Sequence, residues 1–303
     1  MPSGIATNRN NITLPTEVSR EILQKTQEGS AIMKLAQRQE LPGRGLTIPT
    51  ITGDPEANWV DETNVKPVSN PSIGTKNMKG YTLAVIVPFS NQFRRDMRAL
   101  YDAVVQRLPG ALGLKFDKTV IGNSAPGSGF DVLGSCTVQS LIASGSHTAY
   151  KGLVAAWSDI ADHNGALNGF ALSPAAEGIL LNAVDTTGRP IFTGAVSESN
   201  VSPILGARVT RGRGVYKAGS AAAGSTAGSP AIVGIAGDWT QAKYGIVEDD
   251  VKIDISDQAT LTIGSEQVNL WERNMFAVRA EIEVGFIADT YCFNLLSGAT
   301  PEA

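Results

Sequence analysis

The 303-residue chain is 42% hydrophobic and 18% charged, enough for one large domain or two ordinary ones, with a largely neutral surface. A formal net charge of −4 excludes a protein whose main affinity is for phosphate backbones, because that needs a clustered basic face. Two distant cysteines, Cys136 and Cys292, exclude a dense disulfide framework and point to a reducing compartment, and no apolar run reaches about 18 residues, so no membrane span is expected.

Residues 1–13 are mostly Ser, Asn, Thr, Gly and Arg. They lack a charged segment leading into an apolar core, so no signal peptide is visible. They read as an arm that orders only against something else. Leu14-Pro15-Thr16 opens a short helix, with Val18 and Ile22 on one face and Gly29 as its stop. Ile32, Met33 and Leu35 follow, and this N-terminal segment is expected to lie along the surface of its own or a neighbouring subunit. Leu46-Thr47-Ile48-Pro49 reads as a short strand. Residues 54–79 are rich in Asn, Pro, Thr, Lys and Gly, with Trp59 and Val60 the main apolar pair. That exceeds the roughly 12–15 residues usual for a structureless loop, so an extended hairpin projecting from the body is expected. Tyr81, Leu83, Val85 and Val87 alternate with small or apolar residues. They read as the hairpin's return strand, covered on both faces and ended by Pro88.

The segment 90–123 carries the strongest signal. Phe93, Met97, Leu100, Tyr101, Val104, Leu108, Leu112, Phe116 and Val120 recur every three or four residues, one apolar stripe on a helix. Ser90 is its expected N-cap and Gly122-Asn123 its stop. At about 1.5 Å per residue the helix would run on the order of 45 Å, a spine onto which sheets pack. Pro109-Gly110 lies inside it, so a kink or two helices end to end are expected.

Beyond Asn123 the pattern alternates between strands and helices. Val138–Ile142 is briefly apolar. Ser146 is the expected cap of a helix carrying Tyr150, Leu153, Val154, Trp157 and Ile160, which stops at Asn164-Gly165. Gly169–Leu172 reads as a strand, and Ser173-Pro174 as a cap followed by Pro at the first helical position. A mixed α/β domain between the spine and a C-terminal sheet is expected. Residues 217–230 read as a flexible low-complexity loop. Val251, Ile253 and Ile255 alternate with polar residues, and Phe276 to Phe286 alternate over a strand approaching 36 Å at about 3.3 Å per residue. Long strands under a long helix make an α+β unit.

Chemistry is sparse. Neither His147 nor His163 has metal spacing, and Asp159, Asp162 and His163 read as a solvated helix end. There is no G-x-S-x-G elbow, no H-E-x-x-H and no Walker A pattern. Gly43-Arg44-Gly45 and Gly212-Arg213-Gly214 are too short for a phosphate cradle. The Arg208–Lys217 cluster reads as a solvated loop, since no aromatic ladder accompanies it. Cys292, between Tyr291 and Phe293, reads as core. No catalytic residue, cofactor site or metal site is expected.

Several stretches resemble the major capsid proteins of tailed phages with the HK97 fold. They are Gly237-Asp238-Trp239, the strand entry Gly245-Ile246, the Arg279-Ala280-Glu281 run and the closing Asp289–Phe293. Leu14-Pro15 with Val18 is similar to that family's N-arm, Trp59-Val60-Asp61-Glu62 to its extended E-loop, and Val87-Pro88-Phe89-Ser90 to the lead into its spine helix. The resemblance covers nearly the whole chain. It implies an N-arm at 1–45, an E-loop with flanking P-domain strands at 46–89, a P-domain spine helix at 90–123, an A-domain at 124–235 and a P-domain C-terminal sheet at 236–303. It further implies self-assembly as pentamers and hexamers into an icosahedral shell around double-stranded DNA, held by weak contacts. The expected location is the virion, assembled in the host bacterial cytoplasm.

Residues expected at subunit interfaces are Trp59, Glu62, Lys66, Lys76, Lys79, Arg94, Arg95, Arg98 and Trp239. A separate scaffolding protein is expected because no long helical delta region precedes the arm and Met1 opens the chain; a portal and a decoration protein complete the implied partners. Some relatives weld subunits by a Lys–Asn isopeptide bond. Lys66, Lys76 and Lys79 on one side and Asn269 or Asn274 on the other are the residues available, but no motif aligns them. Two other readings stand beside this one. One is an encapsulin-type compartment of the same fold; the other is a soluble α/β enzyme on 124–235, which lacks a convergent acid, base or nucleophile set.

Overall fold

Strand β13, Met275–Ala288, is the one on which the first sheet is built. The computed structural model describes residues 24–27, 29–51, 57–60, 62, 65–66, 68, 73–91, 97–142, 144, 148–185, 187–192, 203–221, 228–247 and 251–299. In chain order they form β1 (Gln37–Leu41), β2 (Leu46–Ile51), β3 (Ile73–Met78), β4 (Tyr81–Ser90), α1 (Met97–Val120), β5 (Thr137–Ser140), α2 (Ala149–Asp162), β6 (Gly169–Leu172) and α3 (Pro174–Leu181). Then come β7 (Arg208–Arg211), β8 (Ile232–Gly237), β9 (Ala242–Val247), β10 (Lys252–Ser256), β11 (Thr260–Ile263), β12 (Glu266–Asn269), β13 and β14 (Phe293–Ser297).

The first sheet has the order β1-β9-β13-β10, with β4 on the other edge of β13. β4 runs antiparallel to β13 from Tyr81↔Val284 to Ser90↔Met275. The alternation of β13 is the reason: Phe276, Val278, Ala280, Ile282, Val284 and Phe286 turn to one face and are buried. Helix α1 covers that face. Phe116 stands edge-on to Phe286 at 6.0 Å and to Phe130 at 6.3 Å.

The spine helix is shorter than the pattern suggests. It runs from Met97 to Val120, 24 residues or about 36 Å, and Ser90 is the last residue of β4 rather than its cap. It is one helix with Pro109 inside, not two end to end. Phe93, Arg94 and Arg95 lie outside the described residues. The expected stripe holds at Leu108, Leu112, Phe116 and Val120, all buried.

Two strand assignments change. The return strand of the hairpin is β3, paired with β2 from Leu46↔Met78 to Ile51↔Ile73. Tyr81–Ser90 continues into the body sheet instead. Its outer face is open, with Ile86 47% exposed, so it is not covered on both sides in the single subunit. Pro88 sits inside it, opposite Ala277, as an edge strand permits.

The N-terminal segment also departs from expectation. Residues 1–23 lie outside the described residues, but Ala31, Ile32 and Met33 are buried in the main core, and β1 adds parallel to β9. From Ser30 on, the segment is part of the body and not a strap along its surface.

The second sheet has the order β5-β14-β8-β6-β7. β14 comes from the far C-terminal end and pairs with both β5 and β8, so the expected boundary at 235/236 does not separate the two sheets. Long-range pairing of this kind leaves no local trace. Helices α2 and α3 share a core with the sheet through Leu153, Ala156, Ile160, Ala176 and Leu180. The cap of α2 is Thr148, whose hydroxyl accepts from the Lys151 amide; Ser146 lies outside the described residues. Asn164, with φ 59°, ends that helix in the left-handed region. Ser173 caps α3 by accepting from the Ala176 amide, with Pro174 first in the helix. The loop 217–230 is a hairpin at its described ends, bridged at Ser220↔Ser229 and Lys217↔Ile232. β11 and β12 form a small separate hairpin turning at Gly264 (φ 67°).

Candidate functional site

The features that could serve a partner are projecting, poorly packed side chains and the anchors that hold their bases. The hairpin β2–β3 leads to the extension where Trp59 is 104%, Val65 93% and Val68 84% exposed. Glu62 and Lys66 are exposed as well. Large apolar side chains left bare on an extension have gained nothing from the subunit's own fold. A second bare aromatic, Trp271, 73% exposed, follows β12.

The base of the hairpin is fastened to the body. Lys76 Nζ lies 3.0 Å from Asp131 Oδ2 and donates to the Ala288 carbonyl at 2.7 Å. Asp131 Oδ2 also accepts from the Ala288 amide at 3.1 Å. Met78 is fully buried beside Leu41, Val247 and Ile287, and the Lys79 amide donates to the Gly129 carbonyl. Thus Lys76 and Lys79 stand at one cleft with Asn77, Ser128 and Asp131. Lys76 is an anchor within the subunit; Lys79 keeps an exposed side chain.

Trp239, expected at a subunit interface, is buried inside the single subunit. It is 2% exposed, its indole N–H donates to the Gly169 carbonyl at 2.9 Å, and its ring stands edge-on to Phe293 at 5.2 Å. The Gly237-Asp238-Trp239 motif is a joint between the two sheets. A Cβ on Gly237 would collide with the Phe293 ring. Asp238 accepts from the Thr240 and Ala166 amides and from Asn168 Nδ2. Burial works to raise that carboxyl, but the hydrogen bonds outweigh it and hold the group below its usual range.

Arg94 and Arg95 lie outside the described residues. Arg98 is in the first turns of α1. In the Arg208–Lys217 cluster, Arg211 pairs with Glu177 at 2.6 Å and Lys217 donates to Asn123 Oδ1. Of the possible weld residues, Asn274, in a turn, accepts from Asn91 Nδ2 through its own Oδ1, and Asn269, the last residue of β12, accepts from the Trp271 amide. His163 is exposed and stacks on Tyr291, and no group of three or more metal-ligating side chains occurs among the described residues.

Sequence reasoning missed Asp117. It is fully buried on α1 and accepts from Ser30 Oγ at 2.5 Å, the Ala31 amide at 3.0 Å and the Ile32 amide at 3.4 Å. Burial pushes its carboxyl up to about 6, against the opposing pull of those hydrogen bonds. A usable signal was present: Gly110, Gly113 and Asp117 share one face of α1, and small residues on a helix mark a close approach.

Comparison with known proteins adds the following. The profile of the phage capsid family matches residues 10–288. The probable major capsid protein gp17 of Mycobacterium phage L5 is 28% identical over 287 residues, 90% of this chain and 85% of that protein. Its counterpart from Mycobacterium phage D29 is 26% identical over 282 residues, with 90% and 86% covered. Among solved structures, one from Gordonia phage Cozz superposes with TM-score 0.69 at 21% identity, covering 90% of this chain and 87% of that one. One from Mycobacterium phage Adephagia gives 0.68 at 18% identity, covering 99% and 96%.

Proposed function

The chain belongs to the phage capsid family, and from that premise we propose that it is a major capsid protein whose copies assemble as pentamers and hexamers into an icosahedral shell around double-stranded DNA. Its fold is α+β and HK97-like, and it is a structural protein, not an enzyme. The observation that carries the assembly reading is the fully bare Trp59, with Val65 and Val68, on an extension whose base is pinned to the body. About 25 cal/mol is available for each Å² of apolar surface removed from water. A neighbouring copy that covers this extension recovers it.

The parts divide the work. The part of the N-terminal arm ahead of Ser30 and the E-loop within 46–89 reach neighbours; the spine of 90–123 and the first sheet, with β1 added to it, form the rigid wedge; the A-domain, about 124–235 with β14 added, meets its copies around the capsomer axis. Many modest neutral contacts allow misplaced subunits to detach, while their sum holds the shell. The net charge of −4 suits DNA driven in by a motor rather than condensed by the coat. A separate scaffold, a portal and a decoration protein complete the set of partners, with assembly in the host cytoplasm.

Negative-stain microscopy of the full chain, with and without its scaffold, tests this. Shells of uniform diameter are expected, and Trp59→Ala lowers their yield at least tenfold while the circular dichroism of the subunit is unchanged. A chain that stays monomeric under both conditions overturns the proposal, as does a Trp59→Ala variant that assembles like the parent.

A further inference from the structure

The N-terminal segment enters the body at a junction of three chain segments. Helix α1 supplies Gly113 and Asp117, the N-terminal segment supplies Thr26 and Gly29 to Met33, and the turn after β7 supplies Gly212 and Gly214. The approach is close on every side. A Cβ on Gly113 would stand 3.0 Å from the Thr26 carbonyl oxygen and 3.1 Å from the Ser30 nitrogen. One on Gly212 would stand 2.7 Å from Ala31 Cβ, and one on Gly214 2.5 Å from Asp117 Cβ. The Gly212-Arg213-Gly214 motif is therefore a clearance for this contact. Thr210 Oγ1 donates to the Ala31 carbonyl from β7, just before that turn.

One carboxylate closes the junction. It accepts from Ser30 Oγ and the Ala31 and Ile32 amides, and Ser30 Oγ in turn accepts from the Met33 amide at 3.0 Å. Three consecutive residues are thus held by one carboxylate, and a fourth, Met33, through Ser30. We propose that Asp117 is the latch that fixes where the N-terminal arm leaves the body, and that protonation of its carboxyl tightens this hold while ionisation loosens it. The capsid reading supplies only the word arm; the latch is a property of the single chain.

The donors on the carboxylate are a hydroxyl and backbone amides. From the N-terminal segment, Lys34 acts on it through space, and Lys25 is half-buried in the preceding helical turn. At the end of β7 Arg211 pairs with Glu177, and in the turn after it Arg213 is exposed. On its own helix Lys115 and Lys118 are exposed. A buried anion held by neutral donors is costly to keep dry. Opening the junction to water relieves that cost only when the group is ionised. With the carboxyl at about 6 in the closed state, against 3.8 as its ordinary value, the closed form gains fully below the ordinary value and loses that gain as pH rises through 6.

Hydrogen exchange of the Ala31, Ile32 and Met33 amides in the full-length chain tests this, each rate divided by its intrinsic value at that pH. The opening constant is expected to rise about tenfold from pH 5 to pH 7.5. Asp117→Asn keeps an oxygen for the amides and a donor for Ser30 Oγ, so its opening constant should be flat across this range. Ser30→Ala keeps the titrating group and removes a donor that favours its ionised form, so the midpoint should move upward. A wild-type opening constant independent of pH overturns the proposal. So does an Asp117→Asn profile that follows the wild type, or a Ser30→Ala midpoint that stays in place; should Asp117→Asn not fold, the Ser30→Ala comparison decides. Failure of the capsid reading would appear as absent shells with these profiles unchanged.

Discussion

Lys76 and Asp131 meet at 3.0 Å across the base of the projecting hairpin, where Lys76 Nζ also donates to the Ala288 carbonyl at 2.7 Å. The contact joins β3, the segment before β5 and the end of β13. It gives the hairpin a fixed direction of departure from the body. It also directs the Lys76 ammonium at internal acceptors, which places Lys79 and Lys66 ahead of it as residues available to a neighbour.

Lys76→Met keeps the length of the side chain and removes its donors. The two side chains are 39% and 30% exposed, so solvent screens the pair and the loss should be about 1 kcal/mol. Urea unfolding of the unassembled chain measures it as a shift in midpoint at constant slope. An unshifted midpoint would mean that Met78 and the β2–β3 ladder hold the base without this pair.

Trp239→Phe should weaken the subunit and leave its surface untouched. The ring still fills the site against Phe293, but the Gly169 carbonyl, which accepts from the indole N–H at 2.9 Å, is left without that donor in a buried place. About 1–3 kcal/mol of folding stability should be lost. Assembly per folded subunit should not change, which separates a joint between sheets from a contact between copies. Thermal unfolding and shell yield, measured on the same preparation, distinguish the two.

These residues also show what a sequence can reveal. β13 was legible because one buried face forces a period of two over the whole strand, and α3 because Ser173-Pro174 is a local capping signal. The hairpin's return strand was misassigned because the alternation of Tyr81–Val87 is stronger than that of Ile73–Met78, whose Gly74, Thr75, Lys76 and Asn77 pair by backbone alone. The burial of Trp239 is not legible because an aromatic beside Gly and Asp looks the same in an interface and in a joint. β14 is illegible because its partners β5 and β8 lie far away in the chain; the small residues on the Asp117 face of α1 signal a close approach, but not that its partner is Ser30, 87 residues away.

The glycines divide into those that clear a contact and those that do not. Gly214→Ala would bring its Cβ to 2.9 Å from the Leu114 carbonyl oxygen and 2.5 Å from Asp117 Cβ, both on α1. Neither can withdraw without moving the helix, so a loss of about 1–3 kcal/mol is expected. Gly178, inside α3, has nothing within 4 Å of the same construction, and Gly178→Ala should stabilise by about 0.5–1 kcal/mol through helix propensity. Opposite signs from the same substitution, read by chemical denaturation, check both packing environments at once.

The last prediction concerns the thiols. Cys136 and Cys292 are both buried and free. Burial, with the negative charge of Asp289 nearby, pushes Cys136 up to about 12 and Cys292 up to about 11. The thiolate is the nucleophile, so neither residue should react with iodoacetamide at pH 8.5 while the chain is folded, and both should react once it is unfolded in urea. Mass spectrometry after a timed pulse counts the adducts. The same shift carries a sign for stability. A thiol whose value is raised on folding contributes fully below its ordinary value of 9.0, and that contribution is lost as pH rises through 11 and 12. The chain should therefore lose stability between pH 9 and 11. A Cys136→Ala, Cys292→Ala double variant should lose less over that interval, and an equal loss would place the alkaline transition in other groups.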